Sequence, residues 1–218
     1  MAPGFGIVAL GLLALDLVLH LAVPKTQAWT KCLLMPLLMA FHLLESDPAN
    51  PWILAALAAA AAGDALLLRF DRPAWFLGGL SAFLLGHLAW MAALLTSADF
   101  LAGVPPWYVL AVLPCGVLPL LFLRWMGPCL EAFRGGLLAY GGILLLMAVL
   151  ALARIFSFRG PAAWLPFAGS LLFLLSDSLL AIHRFRGRLR WGDGVIMTTY
   201  VTAQAFLVVG LLPALATP

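Results

Sequence analysis

The sequence predicts an all-α fold, a polytopic integral membrane bundle of eight transmembrane helices forming one transmembrane domain over residues 1–218. Three observations carry that expectation. Hydrophobic residues make up 65% of the chain and charged residues only 10%, which excludes an ordinary soluble globule. The apolar residues fall into stretches of membrane-crossing length, divided by clusters of Pro, Gly and charge. Most charges sit in the short stretches between them, where a chain leaving the bilayer can solvate them.

Taken in order, the spans run approximately 4–23, 31–45, 52–69, 75–95, 106–124, 134–154, 162–182 and 194–214. The breaks fall at Pro24-Lys25, Asp47-Pro48 with Pro51, Asp71-Arg72-Pro73, Pro105-Pro106, Gly127-Pro128, Gly160-Pro161 and Trp191 to Gly194. Pro36 in the short second span predicts a tilt or kink there. The amino-terminal stretch lacks a basic leader and an A-x-A-like cleavage site, and it contains Asp16, so it reads as a retained first span.

A net charge of +3 spread over short loops reflects membrane orientation and leaves no basic, aromatic-interleaved face for nucleic acid. Cys32, Cys115 and Cys129 form no CxxC pair and read as apolar packing residues. Lys25, Lys31, Arg69, Arg72, Arg124, Arg134 and the run Arg184, Arg186, Arg188 and Arg190 lie at odd-numbered loops; among even loops only the sixth is basic, through Arg154 and Arg159. The positive-inside rule then places the odd loops in the cytoplasm and both termini outside. Arg184 to Arg190 set topology on this reading, with attraction of a lipid phosphate as the second role open to them.

That orientation assigns a depth to each polar residue. Asp16, His20, Lys31, Asp64, Asp177, Tyr200 and Gln204 fall toward the cytoplasmic side of their spans, and His87 lies near the middle of the fourth. A carboxylate inside an apolar span costs roughly 2.5 to 3.5 kcal/mol on insertion scales, so Asp64 and Asp177 should face the bundle interior or a wet cavity. Tyr200 and Gln204 stand one turn apart and share a face. Small residues around Asp64, in LAALAAAAAGDALLL, allow neighbouring backbones to approach.

An internal repeat is also legible. Gly63-Asp64-Ala65-Leu66-Leu67 resembles Ser176-Asp177-Ser178-Leu179-Leu180, and the interval from Asp64 to His87 equals that from Asp177 to Tyr200. Two four-helix halves related by a parallel repeat would bring the two Asp residues to equivalent depths.

Two carboxylates with Lys, His and Tyr nearby are acid–base equipment: one neutral Asp can donate a proton while the other stays ionised. Such a pair suits reactions that pass through an oxocarbenium ion. There is no G-x-S-x-G elbow, and Ser176 points about 100 degrees from Asp177 on a helix, so a serine hydrolase is not indicated. His20, His42, His87 and His183 lack HExxH or HxxxH spacing; a metal held by His20, His87 and an Asp stays open as a lesser reading, and His183 reads as an interfacial residue at a helix end.

Five ordered motifs carry a resemblance. Lys31-Cys32-Leu33, Gly63-Asp64-Ala65, Gly86-His87-Leu88, Leu174-Leu175-Ser176-Asp177 with Leu179-Leu180-Ala181, and Thr198-Thr199-Tyr200 with Ala203-Gln204 resemble the motifs of the YhhN-like lysoplasmalogenase family, in the same order over nearly the whole chain. The resemblance implies a membrane hydrolase that cleaves the vinyl ether bond of lysoplasmalogen, giving a fatty aldehyde and a glycerophosphoethanolamine or glycerophosphocholine, with no cofactor and no metal. It nominates Lys31, Asp64, His87, Asp177, Tyr200 and Gln204 as catalytic, with Ser176, Thr199 and Trp90 beside them at the substrate. Trp90 stands where the family often has Tyr, and Val201 where a second aromatic often follows; both departures bear on pocket shape.

The expected partners are a lysophospholipid substrate and the bilayer, and the sequence leaves oligomeric state open. Residue usage rich in Ala, Leu, Gly and Arg leans toward a bacterial inner membrane, with the endoplasmic reticulum as the eukaryotic counterpart. A proton-coupled transporter or lipid-handling protein is the competing class, because intramembrane Asp, His and Tyr also form proton relays. A purely structural scaffold is the third, and it would tolerate Asp-to-Asn changes throughout.

Overall fold

The structure, a computed structural model, describes residues 11, 14, 18, 27–69, 71–96, 104–127, 134–158, 160–187, 189–190 and 192–213, with the side chains of 27–31 outside that description. Among the described residues there are seven α-helices and no strand: α1 (Gln27–Glu45), α2 (Pro51–Leu67), α3 (Pro73–Thr96), α4 (Leu113–Met126), α5 (Arg134–Ser157), α6 (Leu165–Phe185) and α7 (Gly192–Gly210). Five segments among the described residues are long and apolar enough to cross a membrane: Pro73–Thr96, Pro106–Met126, Arg134–Ser157, Pro161–Phe185 and Gly192–Gly210. The protein is therefore a polytopic helical membrane protein. Cys32–Glu45 and Pro51–Leu67 are shorter apolar helices, and nearly all of the first expected span, with Asp16 and His20, lies outside the described residues.

Proline sets several of the helix starts, as its missing N–H and fixed φ require. Pro51 opens α2, where the Asn50 side chain caps the helix by accepting from the Trp52 N–H at 2.9 Å. The fifth expected span is two pieces, a 3₁₀ stretch Pro106–Val112 and then α4, because Pro114 lies in the first turn of the α-helix and cannot continue an earlier ladder.

Arg154 departs from its expected place in the sixth loop. It lies inside α5, buried to 2% exposure, with its guanidinium 4.0 Å from the Phe158 ring centroid. A buried helical Arg is no loop charge, so the even loops carry less basic charge than the sequence reading assigned them.

The chain divides into two compact units, residues 1–93 with 212–214, and residues 94–211 with 215–218. In the first, α2 and α3 meet along a seam of small residues. A methyl group at Gly63 would come within 2.8 Å of the Phe83 ring, one at Gly79 within 2.8 Å of Leu67, and one at Gly86 within 3.3 Å of the Ala56 carbonyl oxygen. Membrane helices associate by such close approach rather than by apolar burial alone. In the second unit α5, α6 and α7 pack in succession. A methyl at Gly169 on α6 would lie 2.9 Å from the Ala203 carbonyl oxygen on α7, and Ser176 Oγ donates to the Ile196 carbonyl at 3.0 Å.

Two different contacts share a sequence interval. Gly63 meets Phe83, and Ser176 meets Ile196, across the same interval of 20 residues, and each of the two small residues directly precedes an Asp.

Candidate active site

In the first unit, Asp64 on α2 and His87 on α3 are each buried to 1% exposure. Each directly follows a seam glycine, Gly63 or Gly86, whose lack of a side chain lets the helices close around the polar neighbour. Trp90, one turn beyond His87, is also buried. The Lys31 side chain lies outside the described residues.

His42 has a different occupation. Its Nε2 accepts from the Asn50 backbone N–H at 3.0 Å, and its Nδ1 lies 3.2 Å from Ser46 Oγ. An accepting Nε2 places the ring proton on Nδ1, directed at the serine hydroxyl, so this histidine fastens the α1–α2 corner.

In the second unit, Asp177 projects from α6 and its Oδ2 accepts a hydrogen bond from the hydroxyl of Tyr140 on α5. Tyr140 is not among the residues that motif and depth nominate. Its signal was present: it is the sole polar side chain between Arg134 and Arg154, within RGGLLAYGGILLLMAVLALAR. A phenol in hydrocarbon seeks a partner, and Asp177 supplies it.

One turn before Asp177 on the same α6 face, Phe173 meets the ring of Tyr200 edge-on, with centroids 5.5 Å apart at 88°. Tyr200 and Gln204 are both buried in α7, on the face that sequence spacing assigned them. The second unit therefore brings Asp177, Tyr140, Phe173 and Tyr200 into one packed α5–α6–α7 group.

Neighbouring hydroxyls serve the backbone. Ser176 bonds across to Ile196, while Thr199 Oγ1 lies 2.8 Å from the Val195 carbonyl and 3.0 Å from that of Ile196, within its own helix. His183 is more than a helix-end residue. It is buried, its Nδ1 accepts from the Leu189 N–H at 3.2 Å, and its Nε2 lies 3.5 Å from Asp193 Oδ1, which ties the basic α6–α7 loop to α6. That loop also bears Arg186, whose guanidinium stacks 4.3 Å from the Trp125 ring at the end of α4. Among the described residues no group of three or more His, Cys, Asp or Glu is placed to hold a metal ion.

The YhhN family profile matches residues 26–211, from the start of α1 to just past the end of α7. The chain belongs to the YhhN family. It is 34% identical over 198 residues to the Homo sapiens protein named lysoplasmalogenase TMEM86B, covering 87% of this chain and 79% of that one. It is 36% identical over 153 residues to the Sus scrofa protein of the same name, covering 70% of this chain and 59% of that one. No solved structure matches it. All five motifs that suggested the YhhN family, including those of Asp64 and Asp177, fall inside the matched range.

Proposed function

We propose that this YhhN-family protein is a lysoplasmalogenase that hydrolyses the vinyl ether bond of an alkenyl lysophospholipid inside the membrane. The observation that carries the reading is its likeness, over 87% of its length, to a protein named for that activity. Two carboxylates on apolar helices supply chemistry that fits the name.

A vinyl ether is cleaved by protonation at the carbon distal to oxygen, which turns the adjacent carbon and oxygen into an oxocarbenium ion. In the mechanism proposed here, neutral Asp177 donates that proton and ionised Asp64 stabilises the cation or activates water. Water adds to the cationic carbon, and the hemiacetal collapses to a fatty aldehyde and the glycerophospho head group. Lys31 keeps Asp64 ionised or meets the substrate phosphate, while His87, Tyr200 and Gln204 place water and steer protons. Trp90 borders the alkenyl chain, while Ser176 and Thr199, expected beside it from sequence, spend their hydroxyls on backbone carbonyls and act by holding α6 and α7 in place. No cofactor enters the scheme. A single-chain lipid can enter sideways between helices, which suits an eight-span bundle in a bacterial inner membrane with this site toward the cytoplasmic face.

Carbon protonation leaves a label. Purified protein in detergent and heavy water should release aldehyde bearing one deuterium on the carbon next to the carbonyl, after correction for enolisation. Unlabelled aldehyde rejects the protonation step. Absence of aldehyde in detergent, together with proton-coupled lipid movement in sealed vesicles, replaces the hydrolase by a transporter.

A further inference from the structure

We infer that Tyr140 is the positioning residue of the acid: its hydroxyl, bound to Asp177 Oδ2, fixes the carboxyl plane and assigns the transferable proton to Oδ1. This rests on the reading of Asp177 as the proton donor. A neutral carboxyl group has one carbonyl-like oxygen that accepts and one hydroxyl oxygen that donates. With Tyr140 donating to Oδ2, that oxygen is the acceptor, so the acidic proton belongs to its partner.

The arrangement also favours the transition state over the ground state. As the proton leaves Asp177, negative charge develops on the carboxylate, and the bond from Tyr140 changes from a neutral to a charge-assisted one. An interaction that strengthens as charge appears lowers the barrier to the chemical step rather than tightening substrate binding.

The fold holds the phenol rigidly enough to do this. Tyr140 is buried to 6% exposure on α5, and Leu144, one turn further along, is buried with it. The next residue, Gly141, lies so close to Pro119 on α4 that an added methyl would be 3.3 Å from that ring. With α4 pressed against its backbone and Asp177 holding its hydroxyl, the ring has two side-chain torsions and little room to use them.

The test is Tyr140→Phe in the full-length protein in detergent, assayed for aldehyde release from an alkenyl lysophospholipid beside wild type and Asp177→Asn. The inference expects kcat to fall by about 10- to 100-fold with KM nearly unchanged, the effect of a misaimed catalytic group. Wild-type kcat for Tyr140→Phe while Asp177→Asn is inactive overturns the role of Tyr140 and leaves the lysoplasmalogenase reading intact. Wild-type activity in Asp177→Asn overturns the acid assignment itself. Should Tyr140→Phe unfold, fluorotyrosine at position 140 keeps the shape and alters only the acidity of the hydroxyl. Then kcat should follow that acidity, and indifference to fluorination overturns the inference.

Discussion

Gly169 on α6 lies against the backbone of Ala203 on α7, so close that a methyl group on it would stand 2.9 Å from the Ala203 carbonyl oxygen. Backbone cannot swing aside as a side chain can, so any Cβ there must push the two helices apart. Gly116 on α4, by contrast, has nothing within 4 Å of the corresponding position.

Gly169→Ala should therefore destabilise the protein by about 1–3 kcal/mol, the usual cost of overpacking a filled interface. Gly116→Ala should leave stability unchanged or slightly raised, because Ala is the better helix former. Thermal unfolding in detergent compares the two directly. Equal melting temperatures would show that α6 and α7 do not pack this closely.

Ser176 allows a sharper separation of structure from catalysis. Its hydroxyl joins α6 to α7 through the Ile196 carbonyl, and it directly precedes Asp177. A helix-joining hydroxyl predicts that Ser176→Ala costs about 1 kcal/mol of stability and leaves KM for the lysolipid unchanged. A raised KM with unaltered melting would instead make Ser176 a substrate contact, the role its place beside Asp177 suggested in sequence.

How much could be read from the chain alone follows from which signals are local. The five membrane-length segments seen among the described residues, and the pairing of a small residue with Asp in Gly63-Asp64 and Ser176-Asp177, are legible in the chain because composition and adjacency carry them. The Tyr140–Asp177 bond is not, because it joins residues 37 apart on two helices and no spacing rule links them. In sequence Arg154 reads as a loop charge because an Arg at the end of an apolar run usually is one. Its guanidinium packs on the Phe158 ring, which lies beyond the span's apparent end. The anchoring role of His183 is hidden in the same way, since the Leu189 N–H that it accepts lies in the following loop.

The His183 contacts predict a proteolytic phenotype. With the imidazole removed, the Leu189 N–H loses its acceptor and the buried end of the loop loses its filler. Trypsin should then cut the exposed α6–α7 loop at Arg186 or Arg190 about 5–30-fold faster in His183→Ala, as a local loss of 1–2 kcal/mol raises the open population. Asp193 is 70% exposed by side chain, so Asp193→Ala should cut at nearly the wild-type rate. The reverse order of sensitivity would make the Asp193 contact, and not the backbone bond, the loop's anchor.

The proposed division of labour between Asp64 and Asp177 predicts a pattern in double mutants. Asp64→Asn and Asp177→Asn should each lower kcat by about 10²–10⁴-fold, the range for a lost acid or base, while the protein stays folded in detergent. If both groups serve one oxocarbenium ion, removing the second after the first gains little, because the concerted route is already lost. The double variant should then be only slightly slower than the worse single variant. Losses that multiply would mean that the two carboxylates act on separate steps, and full activity in either single variant would remove that residue from the mechanism.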